Sequence, residues 1–159
     1  MKPATLPELK KELKYRSQED LINFCLAMAR FKLESKELLT YLVFESEDEH
    51  AYIDSVKVYI DTSFSEINAL NYYYIKKSVR KILRQVKRFI RYSKKPTTEA
   101  EILIHFCSQL KEVNPSYKRN TVLTNMFNRQ KELAKKAISK LHEDLQYDFK
   151  LMIEEKLYN

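Results

Sequence analysis

The strongest pattern of apolar and polar positions lies between residues 71 and 93. At 100° per residue, the apolar side chains fall in one arc. They are Ile75, Val79, Ile82, Leu83, Val86, Phe89 and Ile90. The opposite arc carries what we call the basic face: Tyr73, Lys76, Lys77, Arg80, Lys81, Arg84, Lys87, Arg88 and Arg91. Because the two arcs do not overlap, the pattern predicts an amphipathic helix over about 71–93 whose apolar side packs on a core.

The rest of the chain also shows helical periods, and several of the predicted helices start at a Ser or Thr with an acid three residues later. Such pairs are typical of helix N-termini. They are Thr5 with Glu8, Ser17 with Asp20, Ser46 with Glu49, and Thr98 with Glu101. The further helices predicted are 18–33, 36–45, 46–68, 98–113, and one long helix or two nearly collinear helices from 117 to the end.

The sequence contains no glycine. Glycine-dependent phosphate loops, dinucleotide fingerprints, nucleophile elbows and tight hairpins are therefore excluded or disfavoured. We expect asparagines to take the helix-ending role that glycine usually has, at Asn68, Asn71, Asn114 and Asn120.

These patterns predict an all-α chain: a single domain over residues 1–159, built as a bundle of six to eight helices. One internal similarity suggests an alternative. "EDLINFC" at 19–25 and "EILIHFC" at 101–107 match at five of seven positions. A duplicated helix pair would give this match, and stacked pairs would form a solenoid-like array.

Two longer strings resemble a small family of uncharacterised all-helical bacterial proteins. They are "LLTYLVFESEDEHAYI" at 38–53 and "SKLHEDLQYDF" at 139–149. The resemblance covers most of the chain and implies an all-helical fold. It assigns no activity and no functional residue.

The chain shows no secretory signal and no apolar run long enough to span a bilayer, so we expect a cytoplasmic protein that does not bind membranes. The two cysteines, Cys25 and Cys107, lie in apolar runs and are expected to be reduced core thiols.

The net charge of +7 is unevenly distributed. Residues 67–98 hold ten basic groups and no acid, and residues 118–140 hold seven basic groups and one acid. Like charges four residues apart along the basic face cost a few tenths of a kcal/mol per pair. Such a local cost is typical of a position where function or tertiary pairing compensates.

Three interpretations of the basic face follow. It binds an acidic protein surface, it binds nucleic acid with Tyr73 available for stacking, or it is only solvated or paired internally. In the third, the acids of "ESEDE" at 45–49 approach the cations near residues 88–95. No nucleic-acid-binding motif is present, which favours the protein partner.

Enzymatic and metal sites find little support in the sequence. Glu47 and His50 form one E-x-x-H pair, but a di-iron site needs two such pairs and the sequence has no second one. Neither His105 nor His142 forms a Cys–His pair within its helix. We therefore predict a non-enzymatic interaction protein with no catalytic, metal or cofactor residues.

Overall fold

The computed structural model describes residues 1–158, and these residues form eight α-helices and no strand. The predicted all-α fold is confirmed. The helices are α1 (Leu6–Leu13), α2 (Gln18–Phe31), α3 (Leu33–Thr40), α4 (Glu49–Ser65), α5 (Tyr72–Ser93), α6 (Pro96–Lys111), α7 (Thr121–Ile138) and α8 (Glu143–Ile153). A short 3-10 helix covers Tyr117–Arg119, and π-helical turns cover Tyr41–Glu45 and Glu154–Tyr158.

The contacts divide the chain into two compact units, Met1–Phe44 and Glu45–Asn159. The prediction of one domain over 1–159 stays a prediction, since a compact unit need not be an independent domain. In the first unit α2 packs against α3. Only Ala29 and Tyr41 are buried there. This unit therefore has almost no core of its own.

The second unit is a bundle around α6. Helices α4, α5, α7 and α8 all contact α6. Its fully buried side chains include Ile102, Leu103, Ile104, Phe106 and Leu110. A linear stack of helix pairs would leave each pair touching only its neighbours, so these contacts favour the bundle over the solenoid.

The predicted start of α4 is shifted by a tertiary contact. Asp48, not Ser46, is the N-cap residue, and its carboxylate accepts a hydrogen bond from the Ala51 N–H at 3.0 Å. Glu49 is drawn instead toward α5 and α6. Its carboxylate accepts hydrogen bonds from the hydroxyls of Ser93 and of Thr98, the latter at 2.6 Å.

Helix α6 likewise begins at Pro96, two residues before the predicted N-cap Thr98. Proline is well suited to the first turn, where its missing N–H would have no helical partner. Thr98 is fully buried inside that turn, and its hydroxyl is used by Glu49 rather than by its own helix. The capping-box prediction at this position was wrong.

Two of the four asparagines begin helices rather than end them, whereas Asn68 and Asn114 lie in the connections after α4 and α6. Asn71 and Asn120 are the N-caps of α5 and α7, where their side chains accept hydrogen bonds from Tyr74 N–H and Leu123 N–H. Among the described residues, Lys94 has a left-handed backbone conformation, with φ 58°, and it follows α5 directly. The left-handed residue that ends α5 is therefore a lysine and not an asparagine.

The long C-terminal pattern resolves into α7 and α8 with a break over residues 139–142. The Gln146 side-chain amide donates to the Leu141 carbonyl at 2.7 Å and stabilises that break.

The cysteine prediction is correct for Cys107, which is buried, and wrong for Cys25, which is exposed. Since the apolar run around Cys25 belongs to the unit with almost no core, its apolar pattern did not produce burial.

Candidate functional site

Helix α5 carries the basic face, and its ends match the predicted 71–93 closely. The Asn71 side chain caps the start by accepting from Tyr74 N–H at 3.2 Å. At the end, Lys94 N–H donates to the Ile90 carbonyl at 3.0 Å. Both boundaries are set by local chemistry, which explains why the sequence predicted them.

The apolar side of α5 packs against α4 and α6. Four of the seven apolar side chains predicted for this side are buried: Ile75, Val79, Ile82 and Val86. The other three are half-buried: Leu83, Phe89 and Ile90. Phe89 still makes an edge-to-face contact with Tyr59, with ring centroids 5.4 Å apart. The apolar side of α5 therefore has a buried centre and half-buried edges.

Two tyrosine hydroxyls fix the rotation of α5 about its axis. Near its start, the Tyr72 hydroxyl donates to the Ser116 carbonyl at 2.8 Å. Near its end, the Tyr52 hydroxyl donates to the Phe89 carbonyl at 2.8 Å. With both ends held and the apolar centre buried, the basic face must point away from the core.

The accessibility of the basic face follows from that orientation. Six of its members are exposed: Tyr73, Lys77, Arg80, Lys81, Arg84 and Arg91. Three are half-buried: Lys76, Lys87 and Arg88. Tyr73 is 65% exposed and lies edge-to-face with Tyr74 at a centroid distance of 5.3 Å.

Six cations of the basic face lack a neighbouring carboxylate. Within residues 1–158, no carboxylate oxygen lies within 4.0 Å of the charged nitrogens of Lys76, Lys77, Arg80, Lys81, Arg84 or Arg91. The predicted approach of the acidic 45–49 segment is seen beyond the basic face, where Glu49 pairs with Lys95 at 2.9 Å. Internal pairing thus leaves most of the positive charge uncompensated.

The structure also brings a second cation to Lys87 from another helix. Burial first, and then the charge of Arg129, lower the pKa of Lys87, while Glu99 acts in the opposite direction. Arg129 lies on α7 and is itself exposed. Sequence reasoning missed Arg129 as a site residue. The basic composition of 118–140 was a signal for it, but only the packing of the helices shows which of those cations faces α5.

Two of the three histidines, His105 and His142, have structural roles. His105 pairs with Asp61, with Nε2 and Oδ1 2.6 Å apart, whereas Glu101 pairs with Lys57. His142 is the N-cap of α8, and its Nδ1 accepts from Asp144 N–H at 3.3 Å. None of these arrangements places a nucleophile beside a base.

Burial raises the pKa of the Cys107 thiol to about 12, with Lys131 opposing the shift. The Cys107 Sγ lies 3.7 Å from the Phe127 carbonyl. A buried thiol of this kind is a poor nucleophile. Among residues 1–158, no group of three or more His, Cys, Asp or Glu side chains is arranged to hold a metal ion.

No family model, no curated protein and no solved structure matches this chain. The resemblance to all-helical bacterial proteins therefore stays a prediction. No helix among the described residues has both the length and the apolar character needed to cross a bilayer.

Proposed function

We propose that this chain is a non-enzymatic interaction protein whose basic face, extended by Arg129, binds an acidic surface of a partner protein. The observation that carries the proposal is the set of six cations on the outer side of α5 without a carboxylate within 4.0 Å among the described residues. Holding these charges together is unfavourable in the free protein. An acidic partner removes that cost on binding.

The dimensions of the face suit a protein partner. Lys76 and Arg91 lie fifteen residues apart on α5, which corresponds to roughly 22 Å along the axis. An acidic helix or strand of similar length can pair with the basic face. Complementary charge of this kind raises the association rate and selects partners more than it raises affinity.

Nucleic acid is the second candidate partner. The exposed ring of Tyr73 at the N-terminal end of the basic face favours it. A base can stack on such a ring while the cations contact phosphates. A helix-turn-helix is not the means, since residues 112–120 separate α6 from α7 and that motif uses a three- to four-residue turn.

The cytoplasm is the compartment we propose, because its reducing conditions would keep the exposed Cys25 thiol free.

Affinity purification from the native cell, with and without nuclease, tests the proposal. The variant carries Arg80→Glu with Arg84→Glu, two exposed positions of the basic face. The control carries Lys140→Glu with Lys150→Glu, which changes the net charge equally at exposed positions outside the basic face.

We expect a partner protein that survives nuclease, is lost with the variant and is kept with the control. Partners that disappear with nuclease would support nucleic acid instead. Equal recovery of partners by the variant and the control would contradict a role for the basic face.

A further inference from the structure

The first unit, residues 1–44, exposes an unusual amount of apolar surface. Sixteen of its large apolar side chains are exposed: Met1, Leu6, Leu9, Leu13, Tyr15, Leu21, Ile22, Phe24, Leu26, Met28, Phe31, Leu33, Leu38, Leu42, Val43 and Phe44. Counting roughly 150–250 Å² for each aromatic side chain and less for each aliphatic one, their exposed fractions amount to on the order of 1,000 Å² over all sides of the helices. Monomeric proteins rarely expose contiguous apolar patches beyond a few hundred Å².

The exposed apolar residues of α2 form a regular seam. Leu21, Phe24, Met28 and Phe31 are spaced by three, four and three residues, the a and d spacing of a coiled coil. Met28 is 60% exposed and Phe31 is 83% exposed. In α1, Leu6, Leu9 and Leu13 repeat the same spacing and are also exposed. A surface with this period fits another helix with the same period.

A different face of α2 serves the packing within the unit. Ala29 is buried, and with Leu26 it lines a groove of about 410 Å³ between α2 and the α3 segment. Ala29 lies about 80° around the helix from Leu21. The seam is therefore left over after α2 has packed against α3.

The charges of α2 suit a second copy of the same helix in antiparallel orientation. Asp20 in its first turn lies beside the seam and Lys32 directly follows its last turn, whereas Glu19 and Arg30 lie on the far side of the helix. Antiparallel pairing places the acidic end of each helix beside the basic end of the other. It also aligns the helix dipoles favourably. A two-fold symmetric interface needs a surface that is complementary to itself.

From the seam, its exposed area and its charge order, we infer that residues 1–44 form a dimer interface in which α2 pairs antiparallel with α2 of a second copy of this chain. The seam supplies the apolar centre of that interface, and the exposed leucines of α1 extend it toward the roughly 800 Å² per partner of a standard stable interface. Pairing also supplies the core that this unit lacks, as small units commonly obtain one by oligomerisation. This surface shares no residue with the basic face.

Light scattering coupled to size-exclusion chromatography of the nuclease-treated full chain tests the inference. The measurement is made over a range of micromolar concentrations and repeated at 0.5 M salt. The chain has a mass of 19.1 kDa, and we expect the wild type to elute at twice that mass. The dimer should persist in high salt, because apolar burial is not screened.

Three variants complete the design. Met28→Glu with Phe31→Glu should halve the mass. Asn23→Glu, at an exposed position of α2 outside the seam, should leave the dimer intact. Arg80→Glu with Arg84→Glu should also remain dimeric, which separates this inference from the proposed function. Circular dichroism should show the same helix content in all of them.

A wild type that is monomeric throughout would overturn the inference, whether the seam is covered by another protein or by another part of the same chain. A dimer that survives Met28→Glu with Phe31→Glu would overturn it equally.

Discussion

Replacing Glu49 with alanine should destabilise the second unit by about 2–4 kcal/mol. Glu49 opens α4, and its carboxylate joins three groups at the corner where α5 ends and α6 begins. These are the hydroxyls of Ser93 and Thr98, the latter at 2.6 Å, and the ammonium of Lys95 at 2.9 Å. The corner sets the direction of α5 and hence of the basic face.

The magnitude follows from how accessible each partner is. Thr98 is fully buried, so an unpaired hydroxyl there costs about 1–3 kcal/mol. The Lys95 side chain is 46% exposed, so its ion pair contributes at most about 1 kcal/mol. Ser93 is half-buried and can find water, so its share is small.

Urea midpoints followed by circular dichroism provide the assay, and two further variants sharpen it. Asp54→Ala removes an exposed carboxylate of the same helix, 3.9 Å from Lys57, and should cost under about 0.5 kcal/mol. Adding Thr98→Val to Glu49→Ala should recover part of the loss, because no buried hydroxyl is then left unpaired. A loss for Glu49→Ala no larger than for Asp54→Ala would refute the reasoning.

Three further predictions concern the core, the basic face and the thiols. Ile75→Ala should lower the free energy of unfolding by about 2–5 kcal/mol, since its side chain is fully buried; a urea midpoint near that of the wild type would show that α5 is not anchored there. Arg129→Gln should raise the pKa of Lys87 toward the ordinary lysine value, because one of the two causes that lower it is removed; NMR titration of the side chain measures this, and an unchanged pKa would place Arg129 away from Lys87. A thiol reagent at neutral pH should label the exposed Cys25 and leave the buried Cys107 unmodified until denaturant is added; mass spectrometry reads the sites, and early labelling of Cys107 would contradict its pKa of about 12.

The parts of the fold that sequence predicted well are those set by neighbouring residues. The ends of α5 depend on the Asn71 cap and on Pro96 shortly beyond. Its two faces depend only on a period of 3.6 residues. The orientation of the basic face could be predicted for the same reason, and so could its separation from the buried residues Ile75 and Val79.

The parts that sequence missed depend on residues far apart in the chain. Glu49 and Thr98 each suit a local capping box, but their side chains bond to one another across 49 positions. Arg129 lies near Lys87 only because α7 and α5 both pack on α6. Cys25 sits in an apolar pattern that predicts burial, yet its unit has almost no core. Periodicity shows which face is apolar and does not show what covers it.

Lysine footprinting of the partner-bound protein tests the central claim most directly. The complex purified from the native cell and the free protein are each treated briefly with an amine-reactive reagent, and modification is compared by mass spectrometry. The account predicts protection of Lys76, Lys77 and Lys81 in the complex, with Lys2 and Lys11 equally reactive in both samples. Protection confined to lysines outside the basic face, or none at all in an intact complex, would contradict the claim that α5 binds the partner.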